Sequence, residues 1–392
     1  MSAQTPAQQS ATEPTPKPTA GSTAAAAPEK GGAHAAPSDT PTVRARVRRA
    51  SLSSWIGAAV MLAVLAVLAM GPYVFDRGLQ QRLVLLFALV VMGTAWNLLA
   101  GYGGMVSIGQ QAFVGLGAYG LVYFGDVLGL SPFVAIVVGV LVAGLVSIPI
   151  SWLTFRLVGG YFAIGTWVVA EVLRLVVAQT DAVGGGAGFT VRSFGGLDAV
   201  YRIAFVYWFG LAGAVVMVAA TYLLMRSRLG LGFTAIRDDA VAAASLGVRV
   251  TLSKRIVYVV AAMGAAFGGG LTAANTLRVQ PDSAFSISFT VAMIFVVVIG
   301  GIGSIEGPIV GAIVYWVLQD QLAQLGSWYL VILGAIVIAV TLYAPRGLWG
   351  LVSRGGRLRP FPVGYRLLDL PSAPSRTTAA AGAAAPDTPE RN

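Results

Sequence analysis

Apolar runs of similar length alternate with short polar breaks from residue 55 to residue 344. Each run is close to the ~20 residues that a helix needs to cross ~30 Å of hydrocarbon. About ten are delimited, at 55–75, 82–100, 106–125, 132–155, 161–179, 204–225, 256–275, 286–303, 308–323 and 328–344. The pattern predicts an all-α, polytopic membrane protein. The third and ninth runs are glycine-rich and are expected to be broken or re-entrant, which is tolerated only where protein or a cavity shelters the backbone. Ser107-Ile108-Gly109 faintly echoes Ser304-Ile305-Glu306-Gly307, too weakly to establish a repeat.

The ends of the chain break the pattern. Residues 1–42, and those from about 372 onward, are rich in Ala, Pro and Thr and nearly free of large apolar side chains. Such segments bury too little surface to fold. The first apolar run also starts too far from Met1 for a secretory signal. The expected organisation is a disordered cytoplasmic tail over 1–42, a membrane domain over 43–345 and a mostly disordered cytoplasmic tail over 346–392.

One interruption is of another kind. Gly232 to Val248 is polar, charged and small-residued, between long apolar blocks. Ala235 to Leu246 predicts a short helix with Gly247 as its stop. Ile236, Ala240, Ala243 and Gly247 share one small apolar face. Arg237, Asp238 and Asp239 form a charged beginning, where acids suit the helix dipole. Such a helix either seats in a groove on a partner protein or lies against lipid. Lipid-facing helices normally present bulky Leu, Phe or Trp, and here alanine dominates.

Charge sets the orientation. Only 11% of residues are charged, against about 25% in soluble domains. The net charge of +10 comes largely from arginine. With a cytoplasmic N-terminus and an even number of crossings, the inner segments hold Arg44, Arg46, Arg48, Arg49, Arg156, Arg226, Arg228, Arg237, Arg249, Lys254, Arg255, Arg346, Arg354, Arg357 and Arg359. The outer loops hold Arg77, Arg82, Arg192, Arg202 and Arg278, set against Asp76, Asp181, Asp198 and Asp282. That asymmetry is the positive-inside pattern, and it accounts for the basic charge without nucleic acid. Both termini are then cytoplasmic. Cys is absent and the one His, His34, lies in the N-terminal tail. No disulfide, thiolate site or intramembrane imidazole is available, and no metal or cofactor is expected.

Few polar groups remain in the apolar runs. Glu171 and Arg174, at i and i+3, share a face and can pair. Intramembrane charges usually face a bundle interior or cavity, so the pair is either a pathway gate or a structural ion pair. Ser107, Gln110 and Gln111 lie among glycines, where the helix either packs closely or breaks to line a path. Asn97 is a further pathway candidate. Asn97 and Asn275, isolated amides near helix ends, also suit interhelical hydrogen bonds. The outer loop from Gln179 to Arg202 carries Gly184, Gly185, Gly186 and Phe189. It is either a flexible connector or a docking surface, with charges suited to electrostatic docking.

The stretch Ala235-Ile-Arg-Asp-Asp-Ala-Val-Ala-Ala-Ala-Ser-Leu-Gly-Val248 resembles the cytoplasmic coupling loop of ABC-importer permeases of the branched-chain amino acid (LivM-type) family. Asn97-Leu-Leu-Ala-Gly-Tyr-Gly-Gly-Met-Val-Ser-Ile-Gly-Gln-Gln-Ala-Phe-Val-Gly-Leu-Gly-Ala-Tyr119 is similar to that family's first block. Gly160-Tyr-Phe-Ala-Ile-Gly-Thr166 with Glu171 and Arg174 resembles its second. Pro281-Asp282-Ser283 and Gly300-Gly-Ile-Gly-Ser-Ile-Glu-Gly-Pro-Ile-Val-Gly311 resemble its last. These blocks span roughly 90–345, in order. The outer loop departs: Asp181-Ala-Val-Gly-Gly-Gly-Ala-Gly-Phe-Thr190 stands where family members often have Thr-Gly-Gly and a glycine turn.

The resemblance implies a permease subunit that pairs with a second, homologous permease subunit in the bacterial inner membrane. Two cytoplasmic ATPase subunits would drive it, and a soluble extracytoplasmic binding protein would deliver branched-chain amino acids. The family also includes urea and short-amide permeases, so the solute stays open. The implied coupling residues are Arg237, Asp238, Asp239, Ala243, Leu246 and Gly247. The chain has no phosphate-binding Gly-x-x-x-x-Gly-Lys-Ser/Thr loop, since its lysines are Lys17, Lys30 and Lys254. ATP hydrolysis would therefore come from another chain, and no enzyme activity is expected of this one. An ion-coupled secondary transporter would show several mid-helix acids, and a membrane enzyme would need convergent acids, His or metal. A passive channel leaves the 235–248 segment without a purpose.

Overall fold

The computed structural model describes residues 46–48, 52–322, 325–326, 328–344, 346–353 and 366–368. The tails expected over 1–42 and beyond 372 lie outside the described residues. Helices follow the apolar runs: α1 (Leu52–Ala69), α2 (Gly71–Val74), α3 (Arg77–Asn97), α4 (Gln111–Gly120), α5 (Pro132–Thr154), α6 (Gly160–Ala178) and α7 (Ala199–Arg226). After them come α8 (Arg228–Asp238), α9 (Ala240–Ser245), α10 (Val250–Thr276), α11 (Pro281–Ala284), α12 (Ile287–Gly300), α13 (Gly307–Leu322), α14 (Trp328–Tyr343) and α15 (Gly347–Val352). π-helical turns over Leu98–Tyr102 and Leu121–Val127 extend α3 and α4. Two short antiparallel pairs complete the fold, β1 (Arg46–Arg48) with β4 (Arg366–Leu368) and β2 (Phe189–Thr190) with β3 (Arg278–Val279).

The fold is all-α, and each of the ten apolar runs is helical. Ten equal spans are not what forms. Among the described residues seven helices are long and apolar enough to cross a membrane: Arg77–Tyr102, Pro132–Thr154, Gly160–Ala178, Ala199–Arg226, Val250–Thr276, Pro281–Gly300 and Val331–Leu351. The first run contributes a shorter apolar stretch, Ala59–Ala69. Of the two glycine-rich runs, the third is shortened at its start because residues 103–110 are not helical, whereas the ninth is helical nearly throughout as α13 and follows the non-helical 301–306. The two sites of the faint sequence echo fall in those two lead-ins. The start of the segment assigned to the C-terminal tail is structured, since α15 packs on α12 and α13.

α3 and α10 form the centre, with 83% and 67% of their membrane-length windows buried, against 17% for α6. In lipid there is no hydrophobic drive to bring helices together, so close van der Waals contact must do it. α10 supplies that contact with small buried residues, among them Ala261, Ala262, Ala265, Ala266, Gly268 and Gly269. A Cβ on Gly117 would overlap the Ala266 backbone, and one on Gly269 would overlap the Val114 backbone. α4 and α10 therefore meet backbone to backbone.

Polar contacts sort the helix ends. Tyr207 Oη donates to Leu68 O at 2.8 Å and Trp208 Nε1 to Ala69 O at 2.9 Å, joining the end of α1 to α7 near its start. Arg82 pairs with Asp320 at 3.3 Å, joining the start of α3 to the end of α13. Asp76 caps α3 by accepting from the Leu79 N–H at 3.1 Å.

The α4–α10 contact generates a paired prediction. Gly117→Ala is expected to lower the melting temperature of the purified chain and broaden its size-exclusion profile. A Cβ added to Gly334, on α14, would meet no atom within 4 Å. Gly334→Ala is expected to be neutral or to stabilise by roughly 0.5–1 kcal/mol. Equal responses of the two variants would contradict a backbone-to-backbone approach at Gly117.

Candidate functional site

The polar segment after α7 is two helices, a correction to the single 235–246 helix expected from sequence. Ser227 caps α8, accepting from the Leu229 N–H at 3.2 Å. The chain then breaks at Asp239, whose extended backbone (φ −155°, ψ 109°) ends α8. Its carboxylate accepts from the Val241 and Ala242 N–H groups at 2.8 and 3.0 Å. The physical reason is competition: an aspartate can cap a new helix start instead of continuing the old one. Arg237 and Asp238 thus close α8 and do not open a helix. Gly247, at φ +83°, terminates the pair as expected.

The predicted apolar face is half realised. Ile236 and Ala243 are buried, whereas Gly247 is exposed. Val241 and Leu246 point outward, 78% and 82% exposed.

Arg237 anchors this turn to the membrane part. Its Nη1 donates to Gly101 O at 3.0 Å. Gly101 lies in the π-turn that ends α3, just before the non-helical 103–110. Asn97, one turn earlier, reaches the second break. Its Nδ2 donates to Ser304 O at 2.8 Å, and its Oδ1 accepts from the Gly303 N–H at 2.8 Å. Gly303 has φ +76°, a conformation that favours glycine. Arg237 also borders this second break, because a Cβ on Gly303 would come within 3.0 Å of its Nη1. The turn, the lead-in to α4 and the lead-in to α13 therefore meet around two side chains.

The other candidates in the first break are buried. Ser107 Oγ accepts from the Gly109 N–H at 3.2 Å, and Ser107 O accepts from Trp96 Nε1 at 3.0 Å. Gln111 N donates to Thr290 Oγ1 at 3.1 Å, and the Thr290 hydroxyl donates back to the Gln111 amide oxygen. Gln110 is 1% exposed, and neither amide atom has a partner among the described residues. Asn275 donates to Gln81 O at 3.3 Å, an interhelical bond of the kind expected.

Glu171 and Arg174 do pair, with Nε to Oε1 at 2.9 Å. The guanidinium is shared with Asp282 on α11. In the sequence Asp282 reads as an outer-loop acid and as part of the Pro281-Asp282-Ser283 block, with no local pattern tying it to Arg174. The Glu171 side chain is half exposed and that of Asp282 is mostly exposed, so the cluster clips α6 to α11 at the surface of the chain.

The loop over 179–202 is an ordered element. β2 pairs with β3, Val191 N donates to Leu277 O at 2.9 Å, and Arg192 N donates to Asp126 Oδ1 at 2.7 Å. Gly186 is exposed, Gly185 is buried, and Gly184 and Phe189 are half-buried.

Substitutions separate the polar node from the surface cluster. Asn97→Leu removes both bonds to the second break and leaves two backbone groups unpaired, so it is expected to destabilise the chain by about 1–3 kcal/mol, read as a lowered melting temperature. A smaller effect than that of Asn275→Leu would contradict the node. Glu171→Gln combined with Arg174→Gln is expected to spare assembly, because exposed ion pairs contribute little. Retained transport in that variant would remove the cluster from the transport path.

A family model for the branched-chain amino acid transport system / permease component matches residues 78–341. The chain is 27% identical over 316 residues to the high-affinity branched-chain amino acid transport system permease protein LivM of Escherichia coli (strain K12), covering 74% of each chain. It is 25% identical to the protein of that name in Salmonella typhimurium, again with 74% of each covered. The ribose import permease protein RbsC of Escherichia coli (strain K12) matches at 30% identity over 136 residues, 33% of this chain and 42% of RbsC. No solved structure matches. With seven membrane-length helices among the described residues and a family match over residues 78–341, this multi-pass membrane protein belongs to the branched-chain amino acid transport system permease family and is an ABC-transporter permease subunit.

Proposed function

We propose that this chain imports branched-chain amino acids across a bacterial inner membrane, driven by separate cytoplasmic ATPase subunits. A second, homologous permease subunit completes the pathway, and an extracytoplasmic binding protein supplies the solute. The observation that carries the solute class is coverage: the two LivM proteins match over 74% of the chain, the ribose permease over 33%. The unusual outer loop, Asp181 to Thr190, favours one second reading, a urea or short-amide permease.

The α8–α9 turn is the proposed docking surface for the ATPase. Val241 and Leu246 would supply apolar contacts, Arg237 would pass displacement to the two breaks, and Asp238, Asp239, Ala243 and Gly247 would hold the turn's shape. The orientation is supported by charge. Arg226, Arg228, Arg237, Arg249, Lys254 and Arg255 cluster around this turn, as on a cytoplasmic face. The β1–β4 pairing supports putting the two flanks of the membrane region on one side. The ordered outer loop, with Gly186 exposed, is proposed to meet the binding protein.

The test is purification of the chain from its native membrane. The native form is expected to bring down an ATPase subunit, and Val241→Glu with Leu246→Glu is expected to reduce the yield of that subunit at least about tenfold, as for central apolar contacts of an interface. The reconstituted complex is expected to accumulate leucine and valine only with ATP. Uptake of urea in preference to leucine would move the solute to the second reading, and uptake without ATP would end the importer assignment.

A further inference from the structure

Where α8 meets the start of α10, the surface opens into a recess of about 340 Å³. Arg228 and Arg249 line it, together with Leu231, Val248, Leu252 and Ser253. No carboxylate lines it, and neither arginine makes an ion pair among the described residues. Ser253 is 5% exposed and lines the recess. α10 begins beside the recess without a side-chain cap, so its N-terminus adds positive potential. The walls are apolar, and Leu231 and Leu252 are both exposed.

Two guanidiniums, a serine hydroxyl and a helix start are complementary to a phosphate. The apolar walls suit a phosphate that carries a hydrocarbon body more than a soluble anion. The level agrees, since α7 ends and α10 begins here and both are membrane-length helices. We propose that the recess holds the phosphate headgroup of an anionic phospholipid of the inner leaflet. Basic pockets between membrane helices recognise such headgroups. The lipid would bridge α8, which carries Arg237, to α10, and so stiffen the base of the turn. This proposal rests on the cytoplasmic orientation of the turn given above.

The test uses the full-length chain extracted in mild detergent, with native mass spectrometry to count retained phosphatidylglycerol and phosphatidylcholine. Phosphatidylglycerol is expected to be retained selectively. Each basic residue near an anionic surface contributes about fivefold, so Arg228→Gln with Arg249→Gln is expected to weaken retention roughly 25-fold. Both side chains are exposed, which leaves the core intact. Leu252→Trp, which fills the recess but keeps both charges, is expected to lose the lipid as well. Unchanged retention in these variants overturns the site, as does equal retention of phosphatidylcholine. Displacement by millimolar inorganic phosphate would assign a soluble anion, and protection only by a bound ATPase subunit would assign a protein contact; either also overturns it. Ala244→Cys, in this cysteine-free chain, separates the two claims. Labelling by an impermeant thiol reagent from the outer face would end the orientation itself. Labelling only in inverted vesicles, without lipid selectivity, would end the lipid site alone.

Discussion

A helix interrupted inside hydrocarbon must find partners for its freed backbone groups within the protein. Here there are two interruptions, 103–110 and 301–306, and one side chain beside the first serves the second. Asn97 ends α3 before the first break and satisfies a donor and an acceptor in the second. The approach is close because a glycine faces the second break: a Cβ on Gly101 would come within 2.7 Å of Gly303 N. Small residues set the spacing, and the spacing lets the amide of Asn97 reach the second break.

Arg237 extends this node toward the polar turn. Its bond to Gly101 O ends four residues from Asn97, so the turn and the two lead-ins share one polar neighbourhood. Under the proposed importer function, that neighbourhood is the mechanical link between an ATPase docked on Val241 and Leu246 and the short helices α4 and α13. Contact-mediated linkage of this kind needs a segment with two discrete arrangements. Interrupted, glycine-bearing backbone has that freedom, and an uninterrupted helix does not.

Most of the helices were legible from hydrophobic run length, because lipid enforces that signal strongly. The shortened third helix was legible as a glycine-rich run, whereas the ninth run, glycine-rich as well, is an unbroken helix with the break just before it. The Glu171–Arg174 pair followed from i, i+3 spacing. The split at Asp239 was missed because an aspartate inside a helix and one capping a new helix look alike in sequence. The partnership of Asn97 with Gly303 and Ser304 was not legible, since it joins positions about 200 residues apart and no local pattern encodes it. Asp282 as a third member of the outer cluster was hidden for the same reason. The ordered outer loop was read as polar and glycine-rich. Its order comes from pairing with residues 278–279, a distant segment.

The link from turn to breaks is tested most directly by the thiol-labelling rate of Val106→Cys, at an exposed position in the first break. The rate is measured in the assembled complex with and without ATP. It is expected to change on ATP addition, and the change is expected to disappear when Arg237→Ala is added. An ATP response that is the same with and without Arg237 would contradict the link, because the turn would then act on the breaks by some other route.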